Sequence, residues 1–159
     1  MLETFYATSA QICFALLGLW WVVVQFKYDL FLRDAARRRT AYNISLYFVL
    51  PGAMSLFSLL AAEVSILWQL AFIVAGVLGI VETAMLLRAN ALANQSAFAR
   101  GARYAALLIY VLIVIFALAP GVLRAIGITP LLVEGVLLAL IVFLGVQFAW
   151  TFFMESREA

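Results

Sequence analysis

Two acidic residues lie inside long apolar stretches of the sequence. Glu82 is near the end of the stretch 64–87, and Glu134 is near the start of the stretch 130–153. A carboxylate inside hydrocarbon is costly, and acids in such positions commonly belong to ion pathways or proton relays. Both residues are therefore candidates for an ion pathway. The alternative is that both lie close to helix ends and extend to the lipid headgroups.

Long polar side chains recur at a nearly constant spacing in three of the apolar stretches. The pairs are Gln11 and Gln25, Gln69 and Glu82, and Glu134 and Gln147, separated by 14, 13 and 13 residues. In a helix this spacing is roughly 20 Å. An amide can donate to a carboxylate, so we predict that the third and fifth spans are neighbours, within one subunit or across an interface between subunits. Glu82 is then expected near Gln147. Gln69 is expected near Glu134.

Small residues share a helix face with each acid. At 100° per residue, Ala75 and Gly79 lie within about 60° of Glu82, and Gly145 lies within about 20° of Glu134. Small residues allow helices in a membrane to approach closely. The pattern predicts that both acids face protein.

The composition indicates which elements position these side chains. The chain of 159 residues is 68% hydrophobic and 11% charged, whereas a soluble domain is roughly half apolar and a quarter charged. A spanning helix needs about 20 apolar residues. The sequence therefore predicts a single all-α transmembrane domain over 1–159. Its five helices are expected at about 5–26, 43–62, 64–87, 104–123 and 130–153.

The positive charges predict the orientation of the bundle. Nine of the ten Lys and Arg residues fall in the first loop, the third loop and the tail, and only Arg124 falls on the opposite side. The side richer in Lys and Arg is normally cytoplasmic, so the N-terminus is expected outside and the C-terminus in the cytoplasm of an inner-membrane protein. Aromatic residues near the span ends are expected to form an interfacial belt: Tyr6, Tyr28, Tyr42, Trp68, Tyr104 and Trp150.

Two further motifs have both a structural and a functional interpretation. Arg37, Arg38 and Arg39 lie in the first loop, 27–42, which is expected to run along the headgroups. They are a topology signal and also candidates for binding anionic lipid headgroups. Pro51 and Gly52 lie inside the second span, where proline should kink the helix. A broken helix can mark a binding site in transporters.

The residue types exclude several kinds of chemistry. The chain has no His and one Cys, Cys13, so a Ser-His or Cys-His nucleophile is impossible. No metal site, cofactor, catalytic residue or nucleic-acid surface is predicted, and an enzyme is not expected. Apart from the lipid bilayer, the expected partners are copies of the same chain or other membrane subunits.

Two classes of function remain. The first is a homo-oligomeric ion channel or transport protein, in which Glu82 and Glu134 favour cations along a pathway. With only five helices per chain, such a pathway is expected on a symmetry axis between subunits. The second is an accessory or assembly subunit of a larger membrane complex. Short loops and a nearly featureless fourth span fit this second class equally well.

Overall fold

The computed structural model describes residues 1–26, 28, 34–60, 65–88 and 97–155. Within these residues the chain is helical, with five long helices, one short helix and no strand. The helices are α1 (Leu2–Phe26), α2 (Ala35–Leu60), α3 (Ser65–Arg88), α4 (Ala97–Leu118), α5 (Pro120–Ala125) and α6 (Pro130–Glu155). The five long helices are all long and apolar enough to cross a membrane. The predicted all-α, multi-pass membrane architecture is confirmed.

Helices α2 and α4 begin seven or eight residues before their predicted spans, at Ala35 and Ala97. The carboxylate of Asp34 caps α2, accepting from the backbone N–H groups of Ala36 at 2.9 Å and Arg37 at 3.3 Å. Asp is a favoured N-cap residue, and Ala and Arg are good helix formers. A helix can therefore continue through charged residues that lie beyond the apolar span. Residues 35–42, expected to belong to a loop along the headgroups, instead form the first two turns of α2.

The prolines after α4 and before α6 act as predicted. Helix α4 ends at Leu118, just before the Pro120-Gly121 pair, and the short α5 begins at that proline. Helix α6 begins at Pro130, as expected for a proline that follows Thr129 at the first helical position.

A tight turn sets the start of α6. Gly127 has a φ of 78°, a conformation that glycine adopts without steric cost. Its N–H donates to the Arg124 carbonyl at 3.0 Å, and the Ile128 N–H donates to the Leu123 carbonyl at 3.0 Å. These two bonds form a Schellman motif. The turn ends α5 and places Glu134 in the second turn of α6.

Helix α2 lies at the centre of the bundle and packs against α1, α3 and α6. In its most apolar window 61% of the residues are buried, compared with 17% for α1. The other helices surround it, with α3 against α4 and α4 against α6. The core is therefore built on the side chains of α2, among them Tyr47, Phe48 and Met54.

Within one subunit the third and fifth spans are not neighbours, and a contact between them across a subunit interface stays a prediction. These spans are α3 and α6, and they share no extended interface, since α2 and α4 each pack against both and separate them. Equal spacing along parallel helices fixes the depth of a side chain, but it does not fix which helices lie side by side.

Four of the six residues expected in the aromatic belt lie on the surface of the bundle, and two do not. Tyr28, Tyr42, Tyr104 and Trp150 are exposed on the bundle surface. Tyr6 and Trp68 are instead buried, with 2% and 4% of their surfaces exposed. The Tyr6 ring contacts the Phe72 ring edge to face at 6.5 Å. Two aromatic side chains assigned to the interface thus belong to the interior, beside Glu134.

Candidate functional site

Glu134 is the only acidic side chain that is fully buried in the part of the chain that the structure describes. It projects from the second turn of α6 and is 0% exposed, and neither carboxylate oxygen has a hydrogen-bond partner there. The prediction that this acid faces protein is confirmed. Buried polar atoms are nearly always hydrogen-bonded, so two unpartnered oxygens on one carboxyl group are exceptional.

Three helices enclose Glu134. Tyr6 from α1 is its polar neighbour: the Tyr6 hydroxyl lies within electrostatic range of Glu134 and also contacts the Ser58 hydroxyl of α2. Gly135 of α6 allows α1 to close over the acid, because a Cβ there would lie 2.9 Å from the Phe5 ring. We name Tyr6, Ser58 and Glu134 the outer polar group, after their place in the expected orientation.

Both hydroxyl groups of the outer polar group already donate a hydrogen bond to a backbone carbonyl. Tyr6 donates to the Leu131 carbonyl at 2.7 Å, and Ser58 donates to the Met54 carbonyl at 2.8 Å. Each hydroxyl has only one proton to donate. An ionised Glu134 would therefore receive no hydrogen bond from either neighbour. The Tyr6 oxygen can still accept a bond from a protonated carboxyl group.

Glu82 has a different environment. It is half-buried on α3, and the adjacent Thr83, rather than the acid, faces the core with 1% exposure. Glu82 therefore keeps access to the surface of a single bundle. Of the two acids that the sequence singled out, only Glu134 is enclosed.

The remaining members of the predicted polar layers do not meet. Gln11 is exposed on α1, as is Gln25, whereas Gln69 and Gln147 are half-buried on α3 and α6. Because α2 and α4 separate the last two helices, the expected pairs of Glu82 with Gln147 and of Gln69 with Glu134 do not form within one subunit. The carboxylate of Glu134 accepts no bond from Gln69.

A second set of buried polar side chains lies toward the opposite end of the bundle. The Tyr47 hydroxyl is buried without hydrogen-bond geometry to any described residue, and Thr83 and Arg103 lie within its electrostatic range. The Tyr47 ring is 6.1 Å from the ring of Tyr110, which is 1% exposed. We name Tyr47, Thr83, Arg103 and Tyr110 the inner polar group.

Arg103 is the cation of the inner polar group. It was counted as a loop residue in the sequence, but it lies within α4, is 3% exposed, and places its guanidinium 5.1 Å from the centre of the Phe148 ring. This arrangement is a cation–π contact. A cavity of about 20 Å³ beside it, lined also by Thr40 and Thr151, is large enough for one water molecule.

A pattern of hydroxyl side chains along α2, distinct from the acids and amides, indicates these buried groups in the sequence. Thr40, Tyr47, Pro51, Ser55 and Ser58 recur along α2 at intervals of three, four or seven residues, which places them along one broad helix face. Four of the five are buried, and Thr40 is half-buried. A stripe of hydroxyl groups on an otherwise apolar span indicates a polar interior rather than a lipid-facing side.

Pro51 lies inside a continuous α2, so the helix is not broken there. Gly52 is at a close contact with α1, since a Cβ at this position would be 3.2 Å from both the Cys13 Cβ and the Phe14 ring. The Pro-Gly pair therefore serves helix packing. It also separates the two polar groups along α2.

The arginine cluster at the start of α2 divides into three different environments. Arg37 forms an ion pair with Asp34 at 3.5 Å. Arg38 lines a cavity between α1 and α2, and Arg39 is exposed. Of the three arginines, only Arg38 lines this cavity.

The chain was compared with protein-family models, with curated proteins and with solved structures, and none of them matches. The function is therefore inferred from the positions of the side chains themselves. Among these, the enclosed carboxyl group of Glu134 is the feature with the clearest chemical consequence.

Proposed function

We propose that the protein transfers protons across the membrane through the interior of a single bundle, with Glu134 as the residue that binds the proton. The observation that carries this proposal is the complete burial of a carboxyl group with two unpartnered oxygens. A buried ionised carboxylate without donors is strongly unfavourable. In the enclosed state Glu134 therefore holds a proton, which it can donate to the oxygen of Tyr6.

A proton fits this site better than a metal cation. Metal ions such as Ca²⁺ or Mg²⁺ need about six or more oxygen ligands, whereas a proton needs one lone pair. Among the residues described, no group of three or more acidic or cysteine side chains is placed to hold a metal ion. A single carboxyl group beside two hydroxyls is sufficient for proton binding.

The two polar groups supply the two ends of the proposed route. On α2, the buried Ser55 hydroxyl lies one turn from Ser58 of the outer polar group, and it is eight residues, or about 12 Å along the helix, from Tyr47 of the inner polar group. The buried side chains of Pro51 and Met54 lie in this interval and make it apolar. Proton transfer across it requires either entry of water or a shift of α2 against its neighbours. The enclosed state is then one of at least two states, as in transporters that open to one side at a time.

The buried position of Glu134 is the reason to place the route inside one protomer rather than on an axis between subunits. Homo-oligomer formation is compatible with this proposal, but the route does not need it. Glu82, which is half-buried on α3, has no assigned role in proton binding. Following the charge distribution, we place the Arg-rich end in the cytoplasm and the protein in the inner membrane.

Reconstitution in liposomes tests the proposal. With a pH-sensitive dye inside and a potassium diffusion potential as the driving force, we expect the wild-type protein to acidify or alkalise the lumen faster than empty liposomes. Glu134→Gln keeps the shape of the neutral side chain but cannot release a proton, so its rate should fall to that of empty liposomes. Glu82→Gln is the matched control and should retain most of the wild-type rate.

Two outcomes would overturn the proposal. One is a wild-type rate equal to that of empty liposomes under both signs of the potential. The other is an unchanged rate in Glu134→Gln. Purification in mild detergent then tests the other class of function, because stable association with unrelated membrane chains would support an accessory subunit.

A further inference from the structure

A cavity at the Arg-rich end of the bundle has the chemistry of a lipid site. It lies between the last turns of α1 and the first turns of α2 and has a volume of about 240 Å³. Its lining is apolar and aromatic with one cation, and includes Trp20, Trp21, Val24, Tyr28, Arg38 and Tyr42. The cavity lies at the end of two membrane spans, where headgroups meet hydrocarbon.

The polar groups that remain available in this cavity suit an anion. The Trp20 indole N–H already donates to the Ala41 carbonyl at 3.1 Å, and the Ser45 hydroxyl donates to the Tyr42 carbonyl. Four donor groups of the lining make no hydrogen bond or ion pair with the described residues: the Arg38 guanidinium, the Trp21 indole N–H and the hydroxyls of Tyr28 and Tyr42. Arg38 and two tyrosine hydroxyls are typical partners of a phosphate group.

The other cations nearby do not share this position. Arg37 is held by Asp34, and Arg39 is exposed and does not line the cavity. Among the described residues, the charge at the cavity is therefore that of Arg38. The apolar part of the lining includes Trp20 and Val24, which fits a hydrocarbon chain better than a water-soluble anion.

We propose that this cavity binds one anionic phospholipid, with its phosphate at Arg38 and the upper part of one acyl chain against Trp20 and Val24. The site is independent of proton transfer, since it is formed at the opposite end of the bundle from Glu134. An anionic headgroup is favoured over a zwitterionic one because Arg38 supplies a net positive charge without an acidic partner among the described residues.

Native mass spectrometry of the protein in detergent, with added phosphatidylglycerol or phosphatidylcholine, tests this site. We expect one phosphatidylglycerol molecule per chain to be retained at activation energies that remove phosphatidylcholine. Arg38→Gln should weaken retention by about five-fold, the factor expected for one charge at a membrane surface. Arg39→Gln, the matched control, should retain the lipid as the wild type does.

A second pair of variants tests the hydrocarbon part of the site. Val24→Trp fills the cavity and should also release the lipid, whereas Val22→Trp places the same side chain on the exposed face of α1, where Val22 is 46% exposed, and should not. Equal losses in Arg38→Gln and Arg39→Gln would show diffuse surface attraction and overturn the proposal. Full retention in Val24→Trp, or equal retention of the two lipids by the wild type, would overturn it as well.

Discussion

Glu134→Arg is expected to abolish the folded bundle, whereas Glu134→Gln should keep it. An arginine cannot lose its proton in a protein, so the substitution places a permanent charge at a fully enclosed position. Burial of an uncompensated charge costs several kcal/mol, more than the roughly 1 kcal/mol lost by a typical point mutant. Glutamine has the size and neutrality of a protonated glutamate and can donate to the oxygen of Tyr6.

Size-exclusion chromatography and thermal unfolding in detergent measure this difference. Glu82→Arg is the control for the size and charge of arginine, because Glu82 is only half-buried and the new side chain can reach solvent or headgroups. A Glu134→Arg protein that elutes and unfolds like Glu82→Arg would show that the carboxyl group is not enclosed.

Gly79→Leu and Gly145→Leu are expected to destabilise the bundle strongly. A Cβ at Gly79 would lie 2.5 Å from the ring of Tyr110 on α4, and a Cβ at Gly145 would lie 2.7 Å from the Cβ of Tyr47 on α2. Both tyrosines are 1% exposed and have no room to move. Overpacking of a well-packed core typically costs about 1–3 kcal/mol of stability. Because leucine adds much more volume than a single methyl group, we expect a loss of stability at the upper end of this range.

Gly18→Leu is the matched control for these two variants. Gly18 is exposed on α1, and a Cβ there meets nothing within 4 Å. Thermal unfolding in the same detergent should therefore leave Gly18→Leu at or above wild-type stability. Similar melting temperatures for Gly18→Leu and Gly79→Leu would contradict the close contact of α3 with α4.

The long helices and their ends were predictable from local chemistry. Five uninterrupted apolar stretches of sufficient length allow no other structure in lipid, because every backbone polar group must be satisfied within the segment. Pro120 and Pro130 marked a helix end and a helix start for equally local reasons. The charged first turns of α2 were missed because hydropathy locates the hydrocarbon boundary, and a capped helix extends past it.

The lateral arrangement of the helices was not predictable from the same patterns. Gly79 and Gly145 were correctly expected at close helix contacts, but their partners are Tyr110 of α4 and Tyr47 of α2 rather than each other's helices. Which side chain fills the space over a glycine depends on the whole core. Tyr6 shows the same limit, since its position near a span end is typical of an interfacial residue.

The infrared spectrum of the protein in lipid bilayers tests most directly whether Glu134 is the proton-binding residue. A protonated carboxyl group has a C=O stretching band that is separate from the bands of a carboxylate. At neutral pH we expect the wild-type protein to show such a band, Glu82→Gln to retain it and Glu134→Gln to lose it. A wild-type spectrum with no neutral carboxyl band would contradict a proton held at Glu134. A neutral carboxyl band that remains unchanged in Glu134→Gln would contradict it as well.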